Sequence, residues 1–398
     1  LNICLEIIES NNIITYTNPN TSLHDKFEWR FTMSGSIYGN LFKLSTWGES
    51  HGPGIGVVVD GCPAGLALKE EDIQLYLDRR KPGQNQYSTP RKEDDTVQIL
   101  SGVFQGYTTG TPISLIVYNK DQRSKDYSDI AGYYRPGHAD YTFDQKYGFR
   151  DYRGGGRSSG RETTARVAAG AIAASILKEM GIEVNAYTKS IGPISIDYEK
   201  CKRDNISISP LVMPDIEASE KAQDYILKHK EMDNSVGGII ECIATGLPAG
   251  IGEPVFDKLD AALAKAVMSV GAVKGVEIGS GFNVALSNGY DNNDNFYYDD
   301  NKNLRKTSNH AGGILGGISD GSEIVLRAAV KPTSSIGKTQ QTVNKDMENI
   351  EIQIQGRHDP IIVPRAVVVV ESMVNITLVD YLFIGMSSRM DKVKDFYK

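Results

Sequence analysis

Cysteine and tryptophan are scarce in this chain, with four and two residues among 398. Cys62, Cys201 and Cys242, with Cys4 far upstream, form no Cys-x-x-Cys pair. That argues against a disulfide framework and for reduced thiols in a cytoplasmic protein. Neither Gly-x-Gly-x-x-Gly nor Gly-x-x-x-x-Gly-Lys occurs, which counts against a Rossmann domain or a P-loop enzyme. No apolar run reads as a membrane span, so no membrane partner is expected. The net charge of −7 makes nucleic acid a poor default partner. There is no tandem repeat.

What the chain does have is a set of compact Arg/His/Ser/Gly clusters on this acidic background. The richest is Arg150–Arg161, where three consecutive glycines and four arginines precede an alanine-rich helical pattern. Glycines can turn backbone N–H groups toward one point, and guanidinium forks match phosphate oxygens. A solvated basic loop is the plainer reading. Ser159 and Glu162 stand in Ser-x-x-Glu spacing, the signature of a capping box. Further clusters lie at Trp47–Gly54, Arg79–Arg91, Arg135–Asp140, Lys331–Ser335 and Gly356–Asp359. Together they point to a pocket for a small anion.

Three residues suit proton chemistry. His51 sits beside Ser50 in a glycine-flanked turn and can protonate a leaving phosphate; it reads equally as a structural histidine. Ser50 lacks the nucleophile elbow, so a phosphate or backbone contact fits it better. His138 lies between Arg135 and Asp140 in a second turn, and Asp359 follows Arg357 and His358 as a candidate base. The histidines sit on separate loops without ligand spacing, so no metal is expected.

Periodicity predicts helices over Lys69–Arg80, Arg161–Met180, Glu217–Glu231 and Val255–Val270. Strands are predicted over Ile55–Asp60, Val97–Phe104, Thr111–Tyr118, Gly237–Ala244, Val276–Ala285 and Glu323–Lys331. Gln84–Arg91 and Asn288–Asn303 read as loops. Small residues along Ala168–Ala174 would let a neighbouring helix approach closely. Ala366–Val370 fits a buried strand or a helix, and periodicity does not choose. The first methionine is Met33, and residues 1–32 are read as a poorly ordered leader that is neither a secretory signal nor a transit peptide.

Gly48-Glu-Ser-His-Gly52, the Gly154–Arg166 run and Gly356-Arg-His-Asp-Pro360 continuing to Glu371 resemble the three hallmark segments of the chorismate synthase family. The resemblance runs from Met33 to the C-terminus and implies a single domain over residues 33–398. It also implies an α+β fold, a β-α-β sandwich with long central helices between antiparallel sheets, so Val367–Leu382 is taken as helix. The implied activity is a lyase that turns 5-enolpyruvylshikimate 3-phosphate into chorismate and phosphate, using reduced FMN without net redox change. An external flavin reductant, with NADPH as one source, and a homotetramer are implied too.

Carried onto this sequence, the resemblance makes His51 the acid for the departing phosphate, His138 the partner of reduced flavin and Asp359 the base. FMN contacts are implied for Arg157, Ser158, Ser159, Gly271, Ala272, Gly316, Lys331, Pro332, Thr333, Ser334, Ser335 and Arg357. Substrate or NADP phosphate contacts are implied for Ser50, Arg80, Arg135 and Arg161. Two positions depart from the family: Gly271 where relatives often have asparagine, and Gln86 where many have arginine. A flavin reductase, consuming reductant stoichiometrically, and an RNA- or nucleotide-binding module are the competing readings.

Overall fold

Residues 35–83, 85, 87, 94–119, 129–354 and 359–398 are described by the structure, a computed structural model, together with the backbone of three strands upstream. The chain divides into two compact units, Leu1–Tyr38 and Gly39–Lys398. In the first, Leu5–Ile8, Ile13–Tyr16 and Glu28–Arg30 form an antiparallel sheet. Most of the remaining leader lies outside the described residues.

In the second unit, alternation of buried and half-buried residues builds two antiparallel sheets. The first contains, in spatial order, Lys43–Gly48, Gly54–Asp60, Ile113–Tyr118 and Val97–Ile99. Ile113, Leu115 and Val117 turn inward, while Ser114 and Tyr118 are less covered, the period-two pattern of a half-buried strand. The second sheet runs Ile194–Ser195, Glu183–Ile191, Gly238–Thr245, Ile324–Val330 and Val273–Ile278.

Helices fill the space between them. We number those of two turns or more: α1 Glu70–Arg80, α2 Asp140–Tyr147, α3 Thr163–Glu179, α4 Ile216–Glu231, α5 Leu259–Met268 and α6 Val363–Gly385. Helix α3 packs on the first sheet, α6 on the second, and α3 and α6 on each other. The expected β-α-β sandwich is therefore present, with α1 wedged against both central helices.

The small residues of α3 set how close these helices come. A Cβ placed on Gly170 would lie 2.2 Å from Ser372 Cβ, closer than side-chain atoms pack. In an open helix Gly→Ala gains roughly 1 kcal/mol. Here the added methyl must push α6 away, and Gly170→Ala is expected to destabilise by about 1–3 kcal/mol. Urea titration checks this: the midpoint falls at unchanged slope, and Ser372→Gly in the same chain restores it only in part, because Ser372 Cα would still lie 2.7 Å from the added methyl.

Every residue from Val367 to Leu382 in α6 is buried, so the helix has no polar face to reveal its period. It is also long and apolar enough to cross a membrane, which corrects the expectation that no run reaches that length; in the fold it is a core helix. Its carboxylates are satisfied locally. Glu371 accepts from Arg79 (2.6 and 2.8 Å) and from the Ala186 amide (3.1 Å). Asp380 accepts the amides of Asn40, Leu41 and Phe42 at 2.7–3.0 Å.

Several boundaries differ from the sequence reading. Helix α5 starts at Leu259 rather than Val255, because Gly252 at φ +116° and Pro254 keep the preceding residues in turns. The strand expected over Val276–Ala285 ends at Ile278, where Gly279 and Gly281 adopt positive φ and a 3₁₀ turn follows. Gly102, at φ +83°, splits Val97–Phe104 in two. Asn288–Asn303 includes one helical turn and contributes Phe296–Tyr298 to a hairpin with Leu304–Lys306. The capping box is absent: Ser159 accepts the Arg161 amide (3.2 Å), a 3₁₀ turn intervenes, and Glu162 pairs with Arg166 (2.9 Å).

Candidate active site

Two clusters of the expected residues form at the ends of the sandwich strands. The first begins where strand Lys43–Gly48 stops. Gly48, at φ +88°, turns the chain into the loop that carries Ser50 and His51. Ser50 Oγ lies 3.1 Å from His51 Nδ1. The glycine-rich segment lies directly against this ring, since a Cβ on Gly154 would fall 2.2 Å from His51 Nδ1. Glycine is required there for close approach rather than for a turn.

The four arginines of that segment are divided among protein partners. Arg157 donates to Gly48 O (3.0 Å), Thr46 O (3.2 Å) and Thr46 Oγ1 (2.5 Å), fastening the loop to the strand. Arg150 is buried on Asp140 (2.8 Å) and donates to Ile130 O and Tyr133 O. Arg153 pairs with Asp151 at the surface (2.5 Å). Arg161 and Arg80, the last residue of α1, both bind the carboxylate of Asp95, whose side chain is fully buried. Burial pushes the Asp95 carboxyl up, but the two guanidiniums outweigh it and hold the group below the usual carboxylate range. Ser158 Oγ donates to Gly155 O (2.6 Å).

Arg161 Nε also donates to Asn119 Oδ1 (2.9 Å), and Asn119 Nδ2 donates to Glu49 O (3.0 Å) and Gly52 O (2.8 Å). Asp359 pairs with Arg365 (3.0 Å), and Arg365 Nε donates to Arg80 O (3.1 Å). Arg357 and His358 lie outside the described residues, as does Gln86.

The second cluster joins the Arg135–Asp140 turn to the end of strand Ile324–Val330. Arg135, itself buried, grips Asp140 through two side-chain bonds of 2.8 Å. His138 Nδ1 is 2.9 Å from Pro136 O, an acceptor only, so Nδ1 carries the proton. Nε2 then accepts from Ser335 Oγ at 2.9 Å. Lys331 Nζ donates to Gly137 O (2.9 Å) and Ser334 Oγ (2.7 Å), and the Lys331 amide donates to Ala272 O (2.9 Å). Ala272 sits at φ +72°. Beside it, Gly271 has open space where a side chain would stand, so the family's asparagine would fit sterically. Gly316, at φ +61°, turns the tight hairpin Ile314–Ser319.

Asp359 is carried by a segment that reaches both clusters. On one side Arg365 touches Arg80; on the other, the Val236 amide donates to Pro360 O (2.9 Å) and Ser235 Oγ to Thr333 O (2.6 Å). A cavity of about 770 Å³ lined by Tyr134, Phe149, Arg150 and Tyr152 contains none of the three acid–base candidates.

Burial, and then the charge of Arg135, hold His138 below the ordinary 6.5 of an imidazole. The unfolded chain therefore binds the proton more readily than the folded one. The stability tied to neutral His138 is complete above about pH 6.5 and is lost as pH falls below it. Melting temperature is expected to drop between about pH 7 and pH 5.5, and less steeply in His138→Asn. An equal drop in both proteins would refute the assignment.

The donor set suits a flavin phosphate: Lys331, Ser334 and Ser335 supply an ammonium and two hydroxyls. Thr333 Oγ1 is buried with no hydrogen-bond partner among the described residues. Gly271 and Gly316 leave open approaches. The residues present thus fit FMN.

Asp95, Asn119, Ser235 and Arg365 brace these clusters without having been singled out in the sequence. Each acts on a segment far away in the chain, and no local pattern marks such a partner.

A family model for chorismate synthase matches residues 42–383. The chain is 70% identical over 366 residues to the chorismate synthase of Lachnoclostridium phytofermentans, covering 92% of this chain and all of that protein. It is 65% identical to the Lachnospira eligens enzyme over 92% of this chain and all of that one. With the chorismate synthase of Methanocaldococcus jannaschii it shares 53% identity over 88% of this chain and 97% of that one. A crystal structure of chorismate synthase superimposes with a TM-score of 0.70 at 33% identity, over 90% of this chain and 97% of that one. On these matches, and with the Gly48–Gly52 and Gly154–Arg166 segments meeting at the strand ends of the expected sandwich, the chain belongs to the chorismate synthase family.

Proposed function

We propose that this chain is a carbon–oxygen lyase that removes the 3-phosphate and a C6 hydrogen from 5-enolpyruvylshikimate 3-phosphate by 1,4-anti elimination, giving chorismate and phosphate. The observation that carries this reading is the seating of His51 between Ser50 and Gly154, in a loop braced by Arg157. Reduced FMN, held by the Lys331–Ser335 side, would supply electron density to the elimination without net redox change.

The protein's own part is proton placement and charge. His51, seated beside Ser50, is the acid that protonates the departing phosphate oxygen. His138 keeps its Nδ1 proton on Pro136 O, and Nε2, now facing Ser335, is the nitrogen that would hold a proton beside a bound flavin. Asp359, paired with Arg365, is the base that would assist beside the flavin. Arg157 with Ser158, Ser159, Gly271, Ala272, Gly316, Lys331–Ser335 and Arg357 form the FMN side. Ser50 and Arg161 face the substrate phosphate. Arg80 and Arg135 commit their forks to Asp95 and Asp140 and shape the site from behind.

Residues 33–398 form the catalytic domain in this reading, with 1–32 outside it; the match to the whole Lachnoclostridium relative supports this. Flavin is reduced externally, with NADPH as one source of electrons. Exposed Phe256, Phe282, Leu286 and Tyr290 support self-association, which we assign as a homotetramer working in the cytoplasm. The test is anaerobic phosphate release with dithionite-reduced FMN, chorismate being identified as product. Stoichiometric consumption of reductant without phosphate release would favour a flavin reductase, and release with oxidised FMN would overturn the requirement for reduced flavin.

A further inference from the structure

The loop that bears His51 is short, begins at a glycine of positive φ and has another glycine at position 52. Such a turn has little stiffness of its own. Within it, the Gly52 amide donates to Glu49 O at 3.1 Å and Ser50 Oγ lies 3.1 Å from His51 Nδ1. Besides Arg157 on Gly48 O, it is gripped from outside by Asn119, the residue after strand Ile113–Tyr118. Tyr118 pairs with Gly54 in the sheet, and the Asn119 amide extends that contact to Pro53 O at 3.0 Å.

The side chain of Asn119 then spends both donors on the two carbonyls that flank Ser50-His51, Glu49 O at 3.0 Å and Gly52 O at 2.8 Å. Its one oxygen accepts from Arg161 Nε at 2.9 Å. These partners allow only one sense of the carboxamide, since a flip would set oxygen against two carbonyls and nitrogen against a guanidinium. Arg161 is itself anchored on buried Asp95, which also holds Arg80. A continuous chain of hydrogen bonds thus links the end of α1 to the backbone on both sides of His51.

We propose that Asn119 is a positioning residue for phosphate departure, its carboxamide holding the Ser50–His51 turn in register with Arg161. The proposal rests on His51 being the acid. Misplacing a catalytic group by about 1 Å costs on the order of 10²-fold in rate, so loss of this clamp should act on turnover more than on binding.

The test is a double-mutant cycle on the full chain with reduced FMN, read as kcat, KM and flavin Kd. Asn119→Asp keeps the volume and the acceptor for Arg161 but turns an oxygen toward Glu49 O and Gly52 O. We expect kcat to fall about 10–100-fold, with KM and flavin Kd within about twofold of the parent. In the His51→Ala background the same change should lower kcat no further. Asn119→Ala places no charge against the carbonyls, serves if Asn119→Asp does not fold, and should show the same non-additivity. Full additivity, or a loss confined to KM or flavin Kd, would overturn the relay. If His51→Ala alone leaves kcat unchanged, the role of His51 fails first and the relay falls with it, a result distinguishable from additivity.

Discussion

His51→Ala is expected to slow phosphate release by about 10²–10⁴-fold under saturating reduced FMN, the usual yield of a positioned general acid. The loss should fall on kcat, because the ring's contacts with Ser50 and Gly154 lie within the loop pair rather than along the Lys331–Ser335 segment. Flavin affinity, followed by fluorescence, should therefore stay near that of the parent. The removed ring sits beside Gly154, whose missing Cβ already marks how closely the imidazole fills its place, so truncation to a methyl group leaves a void that water can enter. A part of the lost proton transfer should be recovered by added imidazole. Undiminished turnover would remove His51 from the mechanism.

The largest expected stability effect belongs to Asp95. Its buried carboxylate neutralises Arg80 and Arg161 together, and Arg80 is itself only 2% exposed. Removing one partner of a buried ion pair costs about 3–5 kcal/mol, since the remaining charge stays desolvated. Asp95→Ala strands two guanidiniums, so a loss at the upper end of that range is expected in chemical denaturation. Against a typical domain stability of roughly 5–15 kcal/mol this is severe. Because the carboxyl is held below its ordinary 3.8, its contribution is fully present above that pH and is lost as pH falls through the lower, folded value. The variant should accordingly show a weaker dependence on acid below about pH 4. A variant as stable as the parent at neutral pH would mean that the two arginines find other partners.

Helix α3 is legible in the sequence because its Val167, Ala171 and Ile172 face recurs at helical spacing, and the structure starts it within two residues of the expected place. Helix α6 is not legible by the same rule. Burial on every side erases the periodicity, and its run of valines suits a strand equally well. Family resemblance, rather than pattern, assigns it correctly. Two strands escape notice for different reasons. Lys43–Gly48 ends in the polar cluster that carries the site, and Glu183–Ile191 commits Tyr187 to Glu241 (2.5 Å), so neither reads as an apolar alternation.

The acid–base candidates and most of the flavin-side residues are visible as local motifs. Their supports are not. Arg150–Arg161 looks like a row of donors on display, yet each of its four arginines is bound to a different part of the protein. Ion pairs such as Arg161 with Asp95 join segments 66 residues apart and leave no spacing to detect. Local motifs in the sequence mark candidate residues for chemistry more readily than the distant residues that hold them still.

Asp380 has a further consequence for how the chain comes off the ribosome. The amides of Asn40 and Phe42 close on a carboxylate supplied 340 and 338 residues later. Whatever the early strands do while synthesis continues, the corner at Asn40–Phe42 has no counter-charge until α6 emerges, and the layer that α6 shares with α3 stays half built until then. Nascent chains stopped short of α6 would present the second sheet's apolar face uncovered, the state in which holdase chaperones find their clients.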